Sequence, residues 1–153
     1  MRAPFQILAL PYRKRGEDWE FCVLHRADLD QWQFVSGGGE DRESPEQTLL
    51  REVWEETGFQ IKDFTRLSSV SSVPANVFHR DVRSHWPKDT YVVPEYHFAY
   101  ACEDDIHLSN EHTACVWLRY ADAQRILRWD SNKTALFELY CTLNGRLDNE
   151  QLQ

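Results

Sequence analysis

Three acids in the run Arg51-Glu52-Val53-Trp54-Glu55-Glu56 stand at i, i+3 and i+4. In a helix, that spacing puts Glu52, Glu55 and Glu56 on one stripe, within an arc of about 100°. Like charges this close repel by a few tenths of a kcal/mol per pair. Two surroundings tolerate them: open water beside a basic neighbour, or a cleft in which a cation sits among them. For the cleft, Mg²⁺ is the natural ion, with Mn²⁺ as a substitute. It takes hard oxygen ligands, keeps several waters and completes its shell with substrate phosphates. The nearby Gly37-Gly38-Gly39 lets backbone approach such a site with no Cβ in the way. A solvated acidic helix face explains the same glutamates, so the stripe alone does not decide between the two.

The helix that would carry the stripe has clear ends. Ser44 can serve as N-cap, Pro45 suits the first helical position, and Gln47 can close a capping box. Gly58 can take the left-handed stop conformation. At 100° per residue, Leu49, Leu50, Val53 and, at the margin, Trp54 form the core face. Upstream, strands are expected over residues 5–12, 19–25 and 32–35, with a hairpin turn over 13–18 and a glycine-rich loop over 36–42. Downstream, strands are expected near residues 61–73, 95–102 and 113–118, and helices over 121–127 and 131–143. Residues 74–93 read as a long irregular segment, a kind that is usually functional or mobile. This irregular alternation points to an α/β fold, a mixed sheet packed between helices.

Gly37, five residues, Glu43, seven residues, then Arg51-Glu52-Val53-Trp54-Glu55-Glu56-Thr57-Gly58-Phe59 resembles the Nudix box. Every fixed position of that box is matched, including the bulky apolar Val53 and Phe59. The resemblance implies an α/β/α sandwich in which the box forms a loop-helix-loop motif. It implies hydrolysis of a diphosphate linkage in a nucleotide-like substrate. It further implies that Glu55 and Glu56 are the main Mg²⁺ ligands, and that Glu52 is a further ligand or the base that activates water. Glu43 and Arg51 would pair to orient helix and loop, and a backbone carbonyl near Ser36 or Gly37 would join the metal site. In related Nudix enzymes a loop carboxylate before a late strand reaches the metal or the attacking water. That makes Glu111 a candidate for both roles, with His112 as a structural neighbour.

Within the family, nearly the whole chain is similar to the bacterial dihydroneopterin triphosphate diphosphatases of folate synthesis. The similarity rests on Gln31-Trp32-Gln33-Phe34-Val35-Ser36-Gly37, on the segment from Asn110 to Leu118, and on Trp129-Asp130-Ser131-Asn132-Lys133-Thr134-Ala135. It implies release of pyrophosphate from dihydroneopterin triphosphate, and less efficiently from nucleoside triphosphates such as dATP. The Glu-His-x4-Trp pattern from Glu111 to Trp117 also occurs in dinucleoside polyphosphate hydrolases. A diadenosine tetraphosphate-type or general nucleotide-cleaning hydrolase is therefore the alternative. Trp32 and Trp129 are candidates to stack a flat heterocycle, and Asn132 to hydrogen-bond its edge. Arg80 and Arg83, in a locally basic stretch, are candidates to hold the triphosphate tail. Against these stand the plainer readings of core tryptophans and a solvated loop. A non-catalytic binding module would commonly have lost box glutamates, but Glu43, Glu52, Glu55 and Glu56 are all present.

Composition narrows the rest. A chain of 153 residues suits one domain over residues 1–153. With 42% hydrophobic and 27% charged residues, it reads as globular rather than disordered. A formal net charge of −8 argues against a nucleic-acid polymer as partner, because no basic surplus exists to displace counterions. A small anionic nucleotide or pterin triphosphate stays compatible if a metal supplies local positive charge. No apolar run reaches membrane-spanning length and no signal peptide is evident, so the expectation is a cytoplasmic protein away from membranes. Cys22, Cys102, Cys115 and Cys141 lack CxxC pairing and lie in apolar stretches, as buried free thiols of a reducing compartment do.

Overall fold

The computed structural model describes residues 1–103, 106–108 and 112–147, the side chains of His112 and Thr113 excepted. The first strand, β1 (Arg2–Arg15), is the axis of the sheet. It pairs antiparallel with β2 (Asp18–Arg26) and β4 (Val35–Glu40), and parallel with β6 (Val92–Ala101). Strand β3 (Gln31–Gln33) and β7 (His112–Arg119) add to β2, and β5 (Thr65–Pro74) adds to β6. The sheet is therefore mixed. The first hairpin turn is tighter than residues 13–18, because β1 runs to Arg15 and β2 starts at Asp18, leaving only Gly16, at φ +61°, and Glu17 between them.

Ile7, Leu8, Ala9 and Leu10 are all buried. Such an unbroken apolar run belongs to a strand covered on both faces. Leu8 and Leu10 pack with Phe21, Val23 and the inner face of α4 (Asp130–Asn144), namely Ala135, Leu136 and Leu139. Ile7 and Ala9 pack on the other side with Phe98, Tyr100 and Leu49 and Val53 of α1 (Pro45–Thr57). Helix, sheet and helix thus form the α/β/α sandwich. A short helix, α3 (Tyr120–Ile126), links β7 to α4.

Residues 36–42 depart from expectation. Val35–Glu40 is a strand, with Gly37 and Gly38 in register with Ile7 and Gln6, and only the turn after it is loop. The glycines are there for close packing: a Cβ on Gly37 would overlap the Glu52 side chain, on Gly38 that of Arg2, and on Gly39 that of Phe5. The core face of α1 is also narrower than expected. Leu49 and Val53 are buried, whereas Leu50 and Trp54 are 42% and 58% exposed. The buried positions of the helix are Thr48, Leu49, Val53, Glu56 and Thr57, and Leu50 and Trp54 fall just beyond the edge of the arc they span.

Residues 74–93 are more ordered than an irregular loop. They hold a 3₁₀ turn at Ala75–Val77 and a short helix, α2 (Arg80–Arg83). A satellite cluster of Ala75, Trp86 and Val93, with Phe78 and Val82 against it, anchors the segment. Trp86 Nε1 also donates to the Arg2 carbonyl at 2.8 Å. Cys22 and Cys102 are buried as expected, but Cys115 and Cys141 are only half-buried; all four are free thiols. Among the described residues, no helix is long and apolar enough to cross a membrane.

Candidate active site

Helix α1 begins as its sequence suggests. Ser44 Oγ accepts from Gln47 N at 3.1 Å, Gln47 Oε1 accepts from Ser44 N at 2.8 Å, and Pro45 follows the cap. Gly58 ends the helix at φ +71°, its N–H donating to the Trp54 carbonyl. These caps satisfy end groups that would otherwise be orphaned, and so fix where the helix starts and stops.

Between the two ends, Arg51 joins helix to strand. Its Nε and Nη2 donate to Glu43 Oε2 and Oε1, each at 2.8 Å, and Nη2 also reaches the Gly38 carbonyl at 2.9 Å. This is the fork geometry in which a guanidinium holds a carboxylate best. Glu43 Oε1 further accepts from Glu40 N at 2.9 Å and Thr48 Oγ1 at 3.0 Å. The Arg51 guanidinium, aided by those donors, holds the Glu43 carboxyl down at about 2, and Glu43 in turn holds Arg51 above the usual arginine range.

Arg51 also turns Nη1 toward the acidic stripe, to Glu52 Oε1 at 2.8 Å and Glu55 Oε2 at 3.3 Å. The three acids differ in surroundings. The Glu52 side chain is 13% exposed and lies against the bare Cα of Gly37, Glu55 is 51% exposed, and Glu56 is buried. Burial pushes the Glu52 carboxyl up to about 7 against the pull of Arg51, with repulsion from Glu55 and Glu56 adding to the rise. Perturbation by burial and neighbouring like charges is characteristic of functional carboxylates.

All three acids line one cleft of about 940 Å³. Ser36, Gly37 and Gly38 line it beside them, and Trp129 and Asn132 line its other reaches. Trp129 is 42% exposed with the Arg128 guanidinium 4.8 Å from its ring centre. Asn132 is buried, and its Oδ1 accepts from Phe34 N at 2.8 Å, so at least half of its amide holds the backbone between β3 and β4.

Other expected residues are not brought to the cleft. Trp32 packs against the core on the α4 side, its ring 4.9 Å from that of His25. Arg80 and Arg83 are exposed on α2, with Arg83 Nε donating to the Phe78 carbonyl at 3.2 Å, and neither lines the cleft. The satellite cluster turns α2 outward, and the cationic lining comes instead from Arg2, Arg26 and Arg128. Glu111 lies outside the described residues. Sequence reading also missed Gln6, Gln33 and Glu95 on the cleft wall. For Gln6 and Glu95 the signal was a polar residue beside an apolar strand run; Gln33, in the polar Gln31-Trp32-Gln33, carried none.

The donor set suits a hard divalent ion. Glu52, Glu55 and Glu56 offer only carboxylate oxygens, share one wall, and stand beside a glycine where a Cβ would displace Glu52. Among the described residues, no three His, Cys, Asp or Glu side chains already converge into a metal cage. Arg51 holds Glu52 and Glu55 here as the internal counter-charge.

Comparison with known proteins agrees with this geometry. The NUDIX domain pattern matches residues 4–139. An RNA pyrophosphohydrolase of Sulfurovum sp. (strain NBC37-1) is 48% identical over 46 residues, 29% of this chain and 29% of that protein. The chain thus matches well under half the length of that curated relative. A candidate NUDIX hydrolase of Listeria monocytogenes is 40% identical, with 95% of this chain and 100% of that one covered and a TM-score of 0.81. The E. coli dihydroneopterin triphosphate pyrophosphohydrolase is 24% identical, with 91% and 97% covered and a TM-score of 0.72, a likeness of fold.

Proposed function

The chain belongs to the NUDIX family, and from that premise we propose that it is a Mg²⁺-dependent pyrophosphohydrolase acting on dihydroneopterin triphosphate in the cytoplasm. The products are the monophosphate and pyrophosphate, and nucleoside triphosphates such as dATP are poorer substrates. The observation that carries this reading is the set of Glu52, Glu55 and Glu56 on the wall of a cleft large enough for a nucleotide.

Glu52, Glu55 and Glu56 would hold the ion. When bound, Mg²⁺ shields the phosphate charge, acidifies water and stabilises the leaving pyrophosphate. The chain's own residues set the geometry. Arg51 anchors Glu52 through Oε1, while Gly37 leaves room for the rest of its side chain. Glu52 would then take a proton from the attacking water. Glu111 shares that role on the strength of the family resemblance alone. Glu43, through Arg51 and the Gly38 carbonyl, keeps helix and strand in register. Arg2, Arg26 and Arg128 supply cationic lining for the phosphate chain, and the exposed face of Trp129 is a stacking surface.

The alternative, a dinucleoside polyphosphate or general nucleotide-cleaning hydrolase, rests on the Glu-His-x4-Trp pattern from Glu111 to Trp117. Measuring kcat/KM with Mg²⁺ on dihydroneopterin triphosphate, dATP, diadenosine tetraphosphate and a 5′-triphosphorylated RNA separates the readings. Highest turnover on the pterin, with pyrophosphate as the product, supports the proposal. Preference for the tetraphosphate or the RNA end replaces it, and no release from any substrate returns the chain to a binding role.

A further inference from the structure

A buried carboxylate, Glu95, lines the same cleft away from the acids of α1 and is unused by the diphosphate chemistry. It sits in a row that crosses four strands: Gly38 of β4 is in register with Gln6 of β1, Gln6 with Glu95 of β6, and Glu95 with Ser71 of β5. All four residues line the cleft. Neighbouring strands are about 4.8 Å apart, so Glu95 lies about 10 Å along the row from Gly38. That is roughly one nucleoside away from the glycines beside Glu52.

Glu95 is 5% exposed and held from two sides. Gln6 Nε2 donates to its Oε2 at 2.5 Å, and His97 Nε2 lies 2.9 Å from its Oε1. His97 is itself buried and held by Ser69 Oγ, 3.0 Å from Nδ1. The carboxylate is thus fixed in orientation before any ligand arrives. Each ionised carboxylate oxygen accepts about two hydrogen bonds. Gln6 and His97 take one on each, which leaves each oxygen of this cleft-lining side chain with capacity for a second bond.

We propose that Glu95 determines specificity by accepting two adjacent N–H groups from a substrate ring with a 2-amino-4-oxopyrimidine edge, the edge shared by guanine and pterins. This rests on the reading of the cleft as a pyrophosphohydrolase site. Adenine offers a donor beside an acceptor, and uracil a single donor between acceptors. Either would set a lone pair against a buried carboxylate oxygen, a mismatch that a site built for hydrogen bonding rejects strongly. Trp129 supplies the stacking face that such a flat ring needs.

The test measures kcat/KM for dihydroneopterin triphosphate, GTP and ATP with wild type and Glu95→Gln, which exchanges one acceptor for a donor. A two-bond ring contact is worth about ten- to a hundredfold in discrimination. Wild type is expected to favour the pterin and GTP over ATP by about tenfold or more. Glu95→Gln is expected to lose that preference, chiefly through a higher KM for the pterin and GTP and a lower KM for ATP, whose donor-beside-acceptor edge the amide matches. The ratio of pterin to GTP shows which source of the edge is preferred. Equal use of GTP and ATP by wild type overturns the proposal. So does an equal loss on all three substrates in the variant, which marks a structural role. Calorimetric Kd values of GMP and AMP for wild type and Glu95→Gln read the same preference without turnover. Tighter GMP in wild type that the variant loses supports Glu95 as the determinant even where hydrolysis, and with it the enzymatic reading, fails; equal affinities in wild type refute it.

Discussion

Replacing Gly37 with alanine isolates the placement of one carboxylate. Left-handed φ values occur at Gly16, Gly58 and Gly145 but not at Gly37, so alanine meets no backbone strain there. The new Cβ would fall on Cγ, Cδ and Oε2 of Glu52, all nearer than 3.0 Å, where ordinary contact begins at 3.4 Å. Those atoms are the far end of a flexible side chain, so they can swing away at small cost to folding. Overpacking costs roughly 1–3 kcal/mol in a tight core, less where a side chain yields, and the Gly→Ala change returns about 0.4–1 kcal/mol through the unfolded chain. Net stability should therefore shift by about 1 kcal/mol or less, a change in Tm of roughly 2–4 °C at this chain length. Catalysis has no such escape. Displacing a positioned group by about 1 Å costs on the order of 10²-fold. Pyrophosphate release at saturating Mg²⁺ and substrate, run beside thermal melting, should show kcat falling by about that factor with the fold kept. A Gly37→Ala enzyme with wild-type kcat would refute the view that glycine is there to seat Glu52.

Glu43→Gln reports on the clamp through pH. The Arg51 guanidinium holds the folded Glu43 carboxyl at about 2, below its ordinary value of 4.5. Its stabilisation is therefore present above pH 4.5 and lost as pH falls toward 2. Urea midpoints of wild type and variant should differ at pH 7 and converge below pH 3; a gap that does not shrink would rule out the ionised pair as its source. Ser44→Ala should cost about 1 kcal/mol by removing the N-cap, and a Tm within 1 °C of wild type would show the cap to be idle. Trp129→Ala should raise KM for the pterin substrate by about tenfold with kcat nearly kept, as loss of a stacking face does; unchanged KM would remove the ring from the pocket.

Local signals made much of this molecule legible. The cap at Ser44, the stop at Gly58 and the Glu43–Arg51 pair depend on residues within one loop and one helix, so spacing alone located them. Strand β1 was visible because both of its faces are covered and its run is unbroken. Gly37-Gly38-Gly39 misled, because glycines that read as loop were there to admit the side chains of Glu52, Arg2 and Phe5. Arg80 and Arg83 misled for another reason. Their charge is visible in sequence, but the packing of Trp86 and Phe78 that turns α2 away from the cleft is tertiary. Gln6 and Glu95 meet only because β1 and β6 pair in parallel across a separation of 89 residues, which no periodicity encodes.

The gathering of a divalent ion by the α1 carboxylates is best tested by Mn²⁺ binding, read by electron paramagnetic resonance for wild type and the Glu52→Gln/Glu55→Gln/Glu56→Gln protein, each confirmed folded by its melt. The free-ion signal should fall with wild type and recover on adding Mg²⁺, and the triple variant should bind at least about tenfold more weakly. Equal Mn²⁺ uptake by both proteins would contradict the assignment of the ion to these three side chains.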